Sequence, residues 1–548
     1  MKKTVIILLA LVAMAISSAA DNAYKILHEC DTTVKAQLGG SFSFGSRQVK
    51  HFVYEYPSTD ADGKAVTISG VIMIPADIAD GSVPCDGVVM FNHPTIGSPK
   101  DAPSLGGAGV EPISAILSNP LKPNYIFVES DYIGYGSSID HNVSYISGDT
   151  NGRNSLDGLL AAQQLFEDRQ IPQGKYLFNM GYSQGGTESM FAAKLTDTEE
   201  KYRGIRFDKT FSGGGPLDFE QIYSIYVNRD ACEDLADVVL MLISVNENYH
   251  LGIDYKDMFK EPMASKALEY FKSKNKGIVS QIGVMSMDSL SQVLQPDFMN
   301  LESDAARKLR AKLKEISLTT GWEPDATKQY YIAHSRHDNY VPVQCVRGII
   351  PWMRDRGFTP SIVPGKTSLQ TCTAIFKLKH QQAGIVWAIQ TLAAIQFWPV
   401  LYYEGEQNRY YRDVFGDMNL TKVIKTLEGL GIDLKKIVSQ GGFSRRKMPN
   451  HFTPFDLIPN IKETLAKVDL TTDDLQEMCE DAGITQSDLV SAVAYVFTGL
   501  DLSLSNARMT TPEERIEAPL YLLRSYEQQL ASWFMLAGYD VNYELWGN

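Results

Sequence analysis

The chain has 548 residues, 44% of them hydrophobic and 21% charged, enough to bury a large core and to form more than one structural unit. Its formal net charge is −14, with no basic patch, which argues against a nucleic acid or an anionic membrane surface as partner. Six scattered cysteines (Cys30, Cys85, Cys232, Cys345, Cys372, Cys479) contain no C-x-x-C, so a cysteine metal site is not expected and disulfide pairing stays open.

Residues 1–20 have the pattern of a cleavable export signal. Lys2 and Lys3 precede an apolar run over residues 5–16, and Ser18-Ala19-Ala20 places cleavage after Ala20. Removing the two lysines with the leader makes the mature chain −16. Secreted or periplasmic localisation is the expectation, with no stable membrane insertion, because no other stretch is long and apolar enough to span a bilayer.

Residues 48–56 (QVKHFVYEY) and 66–74 (VTISGVIMI) alternate as two strands of a hairpin. Residues 87–92 (GVVMFN) and 125–129 (YIFVE) are continuous apolar runs, as expected for parallel strands covered on both faces. An amphipathic helix is predicted over 154–167, then a strand from 176 that ends in Gly181-Tyr182-Ser183-Gln184-Gly185-Gly186, with a helical segment following at once. Further strands are predicted at 208–211, 329–333 and 359–363, and a hydrophobic helix at 388–403. The interval 219–327 is helical and rich in methionine (Met258, Met263, Met285, Met287, Met299), an insertion between two strands. Beyond residue 404 the pattern is again helical, as at 471–479 and 487–497. The predicted organisation is a signal peptide (1–20), an α/β core (21–218 and 329–403), a helical lid or cap (219–328) and a helical extension (404–548).

The chemistry centres on Ser183. A G-x-S-x-G turn between strand and helix exposes a hydroxyl beside a helix N-terminus, where free N–H groups favour developing negative charge. The hydroxyl needs a base, and the base an acid to hold its tautomer. On such a scaffold they follow in the order serine, acid, histidine. Asp338, just past the strand at 329–333, is preferred over Asp218, which also follows a strand, because its loop lies at the strand end nearest the expected histidine. Of the nine histidines only His380 and His451 lie downstream of Asp338, and His451 adjoins no strand, so His380 is the predicted base, in a tight turn before the closing helix. His334 and His337 are spaced like helical metal ligands but fall in a loop, and are read as loop-structuring. Two N–H donors are needed for an oxyanion: Gln184, which follows the serine, and Thr95, because Pro94 before it has no N–H.

These segments resemble the α/β-hydrolase superfamily, and within it the secretory-lipase-like and aminopeptidase-like esterases. The matching residues are Tyr56, Asp62-Gly63 and Pro75 of the hairpin, Asn92-His93-Pro94-Thr95, Asp131-Tyr132-Ile133-Gly134-Tyr135-Gly136, the Ser183 turn, Trp322-Glu323-Pro324, His334, Asp338, Val341-Pro342 and His380, within residues 54–398. The resemblance implies an α/β-hydrolase fold with a mostly parallel sheet, a Ser183–His380–Asp338 triad and a lid made by the inserted helices; no cofactor or metal is expected. Pro94 stands where many members have glycine, and residues 404–548 lie outside the resemblance. The expected activity is cleavage of a small-molecule, lipid or carbohydrate ester. The alternative is an exported peptidase using Glu220 and Glu233 to hold a substrate ammonium. A non-catalytic binding relative would normally lack a triad member, and none is missing.

Overall fold

The structure, a computed structural model, describes residues 23–38, 42–118, 123–146, 148–358, 360–361, 369–373, 378–396, 466 and 471–481. The described residues fall into two units, one within Met1–Arg356 and Leu378–Gln396, the other within Gly357–Lys377 and Phe397–Asn548. The predicted leader and the helix at 487–497 lie outside the described residues.

The first unit is built on a twisted sheet. Its strands are β1 (Lys25–Leu38), β2 (Phe42–Thr59), β3 (Ala65–Pro75), β4 (Gly87–Asn92), β5 (Tyr125–Ser130), β6 (Tyr176–Tyr182), β7 (Lys209–Gly213) and β8 (Tyr330–His334). In space they run β1-β2-β3-β5-β4-β6-β7-β8. The pairs from β1 to β5 by way of β3 are antiparallel, and those from β5 across to β8 are parallel. The continuous apolar runs of β4 and β5 are buried at every position, because crossover helices cover both faces of a parallel sheet.

Helix α1 (Glu111–Ser118) packs on β1 and β2, and α2 (Thr150–Asp168) packs on β2 and β5. There Leu156, Leu159, Ala162, Leu165 and Phe166 meet Ile68, Ile72, Val88, Met90, Ile126 and Val128 in one apolar cluster. Helix α3 (Gln184–Thr198) follows β6 and is buried along most of its length. Between β7 and β8 the chain is helical, including α4 (Phe219–Arg229), α5 (Leu235–Asn248), α6 (Met263–Ser273) and α7 (Asp304–Glu315). Met258 and Met263 are buried within this insertion, so those methionines pack its own core, while Met285 is exposed. Among the described residues no helix is long and apolar enough to cross a membrane.

Several predicted elements move. Strand β1 was not anticipated, because its sequence KILHECDTTVKAQL carries little apolar alternation; as an edge strand it is held by its ladder to β2. The hydrophobic helix expected at 388–403 is observed as α8 (His380–Gln396), so His380 is its first residue instead of part of a preceding turn. In the second unit, Pro360–Ser361, within the strand expected at 359–363, is strand and pairs parallel to Leu369–Thr373; residues 359, 362 and 363 lie outside the described residues. The helix expected at 471–479 is observed at Thr472–Asp481. Cys30, Cys85, Cys232 and Cys345 are free thiols.

Candidate active site

The serine turn is made by close approach of backbone to backbone. A Cβ on Gly185 would lie 1.9 Å from the Asn92 carbonyl oxygen, and one on Gly181 would lie 2.2 Å from the Gly185 oxygen. With glycine at both places, α3 can rise directly from β6. Ser183 itself takes φ 57° and ψ −125°, a strained region for a residue with a side chain. Its N–H donates to the Gly213 carbonyl of β7 at 2.8 Å, which helps hold that strain against the sheet.

The serine Oγ lies 2.9 Å from His380 Nε2, and His380 Nδ1 lies 2.7 Å from Asp338 Oδ2. The three predicted side chains thus form one hydrogen-bonded chain across sequence separations of 197 and 42 residues. Asp338 divides its two oxygens. Oδ1 accepts the backbone N–H groups of Tyr340 at 2.9 Å and Val341 at 2.7 Å, which fixes the loop, and Oδ2 is left for the imidazole. With Asp338 ionised, Nδ1 of His380 carries the proton it donates, and Nε2 is free to accept from the serine. His380 is anchored at its own N–H by Asn339 Oδ1 at 3.0 Å, and at its carbonyl by the Tyr182 hydroxyl at 2.6 Å. The rings of Tyr182 and Tyr340 flank the imidazole at 5.1 and 5.3 Å.

The other acid considered, Asp218, is used differently: it caps α4, accepting from the Gln221 N–H at 3.1 Å. His334 and His337 do not come together. His334 is buried and donates from Nε2 to the Val341 carbonyl at 2.8 Å, whereas His337 is exposed. Burial lowers the His334 pKa, outweighing the opposing pull of Asp338, so it stays a neutral loop-structuring imidazole. Among the described residues no cluster of histidine, cysteine and carboxylate side chains could hold a metal.

Gln184 is the first residue of α3, so its backbone N–H is one of the helix's unpaired N-terminal donors beside the serine. Thr95 comes from the loop that leaves β4, whose last residue Asn92 pairs with Gly181 of β6. That loop is locked by His93, which stacks on Tyr132 at 4.0 Å while its carbonyl accepts the Tyr132 hydroxyl at 3.1 Å. Full burial pushes the His93 pKa down to about 4, so its ring is neutral. Thr95 Oγ1 lies 3.0 Å from the hydroxyl of Tyr145. Sequence reasoning singled out neither Tyr145 nor Tyr182. Neither lies in a chemistry-bearing position of a motif, and only their partners, 50 and 198 residues away, reveal them.

No family model matches the chain, and no curated protein sequence matches it. Solved structures do resemble it. One is a provisionally named hydrolase from Legionella pneumophila, with TM-score 0.57 and 15% identity, covering 70% of this chain and all of that one. Another is the rice cell wall degrading esterase LipA from Xanthomonas oryzae, with TM-score 0.53 and 18% identity, covering 68% of this chain and 97% of that one. The sheet order and these likenesses give the chain the α/β-hydrolase fold.

Proposed function

We propose that this α/β-hydrolase-fold protein is an exported serine hydrolase that cleaves carboxylic esters. The observation that carries the reading is the unbroken chain from Ser183 Oγ through His380 to Asp338. In the first half-reaction Ser183 attacks the ester carbonyl carbon as His380 Nε2 takes its proton. The carbonyl oxygen becomes an oxyanion, facing the N–H groups of Gln184 and Thr95. Collapse of this intermediate expels the alcohol, which leaves with the proton returned by His380. Water then repeats the sequence on the acyl-serine, releasing the acid and restoring the hydroxyl. Asp338 stays ionised and stabilises the imidazolium at both stages.

The likeness to a cell wall degrading esterase supports an ester substrate, and the leader-like residues 1–20 support export. The peptidase alternative loses one of its two ammonium-binding candidates, because Glu220 is already paired with Arg310 Nε at 2.7 Å. The test is Ser183→Ala. It should abolish hydrolysis of p-nitrophenyl esters and labelling by a fluorophosphonate while the circular dichroism spectrum is unchanged. Equal turnover by the variant would refute the mechanism.

A further inference from the structure

Beneath the serine turn lies a buried polar group that the triad does not use. Glu188 sits four residues after Gln184 on α3 and is 1% exposed. Its Oε1 accepts from Asn151 Nδ2 at 3.0 Å and from Gln184 Nε2 at 3.4 Å, while Oε2 has no hydrogen-bond partner. Both donors therefore fall on one oxygen, which ties Glu188 to Asn151 of α2 and to Gln184 at the start of its own helix, while the other oxygen is buried and unpartnered. The charged group nearest in effect is Asp149, at the start of α2, itself 3.5 Å from Lys194 Nζ of α3. Its other titratable neighbours are the buried phenols of Tyr132 and Tyr249, both kept un-ionised by desolvation. Burial first, and Asp149 in addition, raise the Glu188 carboxyl to about 8.

Asn151 carries the connection onward. The same Nδ2 donates to the Ser144 carbonyl at 2.5 Å, and the next residue, Tyr145, holds Thr95 through its hydroxyl. The Tyr145 N–H is itself fastened to Ser244 Oγ of α5 at 2.9 Å. Hydrogen bonds, with the Ser144–Tyr145 peptide link between them, therefore join the side chains of Gln184 and Thr95, two residues in segments that leave different strands of the sheet.

We propose that Glu188 is a positioning residue: as a buried clamp it sets the spacing of the Gln184 and Thr95 segments, and so the shape of the oxyanion hole. The proposal rests on the serine-esterase reading above. Ionisation of Glu188 would remove its hydroxyl proton and place a negative charge about one helical turn from the forming oxyanion. Activity then declines on the alkaline side.

The experiment measures kcat and KM for p-nitrophenyl acetate from about pH 6 to about pH 9.5. It compares wild type, Glu188→Gln, Glu188→Ala, Tyr145→Phe and the Glu188→Ala/Tyr145→Phe double variant, with Ser183→Ala as the reference. Circular dichroism and thermal midpoints monitor folding. Glu188→Ala should lose about 30- to 100-fold in kcat with KM within about threefold, somewhat less than deletion of an oxyanion donor costs. Glu188→Gln, which keeps the acceptor oxygen, should recover most of kcat near neutral pH and lack the wild type's decline above pH about 8. The double variant should lose less than the product of the single losses, because both substitutions cut one path. A folded Glu188→Ala with wild-type kcat, fully multiplicative losses, or identical alkaline limbs in wild type and Glu188→Gln would each overturn the proposal. Where Glu188→Ala does not fold, the Glu188→Gln pH profile decides. Failure of the serine reading is distinguishable, because Ser183→Ala would then hydrolyse the ester as fast as wild type.

Discussion

Asp338→Asn separates the two jobs that Asp338 performs. The substitution is isosteric, and the loop N–H groups of Tyr340 and Val341 both require an acceptor at the Oδ1 position. The new side chain therefore keeps its carbonyl oxygen there and turns its NH2 toward His380 Nδ1, 2.7 Å from the present Oδ2. Two donors cannot face each other at that distance, so the imidazole moves its proton to Nε2. In that tautomer Nε2 has no lone pair for the serine proton. The expected loss in kcat is about 10⁴-fold, or roughly 5.5 kcal/mol of transition-state stabilisation, the size known for a wrong-tautomer histidine in a serine triad. Global stability should change by no more than about 1 kcal/mol, because the loop bonds persist. Asp338→Ala, by contrast, also strands the buried Val341 N–H, at about 1–3 kcal/mol, together with the half-buried N–H of Tyr340. The assay is kcat for p-nitrophenyl butyrate beside a thermal or urea unfolding midpoint for each variant. An Asn variant within about tenfold of wild-type kcat, while folded, would refute the tautomer argument.

Gly185→Ala should prevent the turn from forming, because its Cβ would lie 1.9 Å from the Asn92 oxygen, and neither backbone can yield without opening the β4–β6 ladder. A destabilisation of about 3 kcal/mol or more is expected from the urea midpoint, and a shift below about 0.5 kcal/mol would contradict the contact. Glu129 supplies a pH test of stability. It is fully buried on β5, neither carboxyl oxygen has a hydrogen-bond partner, and desolvation, aided by Asp131, raises its pKa well above 4.5. A carboxyl that holds its proton more tightly folded than unfolded contributes stability fully below pH about 4.5. That contribution is then lost, at up to about 1.4 kcal/mol per pH unit, as pH rises toward the folded value. Glu129→Gln removes this dependence, so its thermal midpoint should fall less steeply with pH than that of wild type; parallel curves would show that Glu129 is not protonated in the folded protein.

Much of this was legible because local chemistry is written locally. Apolar runs without alternation could be read as doubly covered strands, and β4 and β5 are buried at every position. The glycines around Ser183 could be read as a strand-to-helix turn because the requirement lies within a few residues of chain. Chain order then narrowed the acid to two aspartates and the base to a histidine following the last of them. Strand β1 escaped because an edge strand needs a ladder and little apolar alternation, and its ladder partner lies in the next strand. His380 was expected before a helix and instead opens one, a difference that depends on where α8 packs against β6 and β7.

Sequence by itself determined the class of sheet, the serine turn and the candidates for its partners, since each depends on residue type and short-range pattern. Only the tertiary structure showed the rival Asp218 capping a helix, and only it showed Glu188, Asn151 and Tyr145 joining two strand exits. The physical reason is that a carboxyl's role is set by what surrounds it. Desolvation, and hydrogen-bond partners brought from 37 residues away for Glu188 and 42 for Asp338, decide what it does.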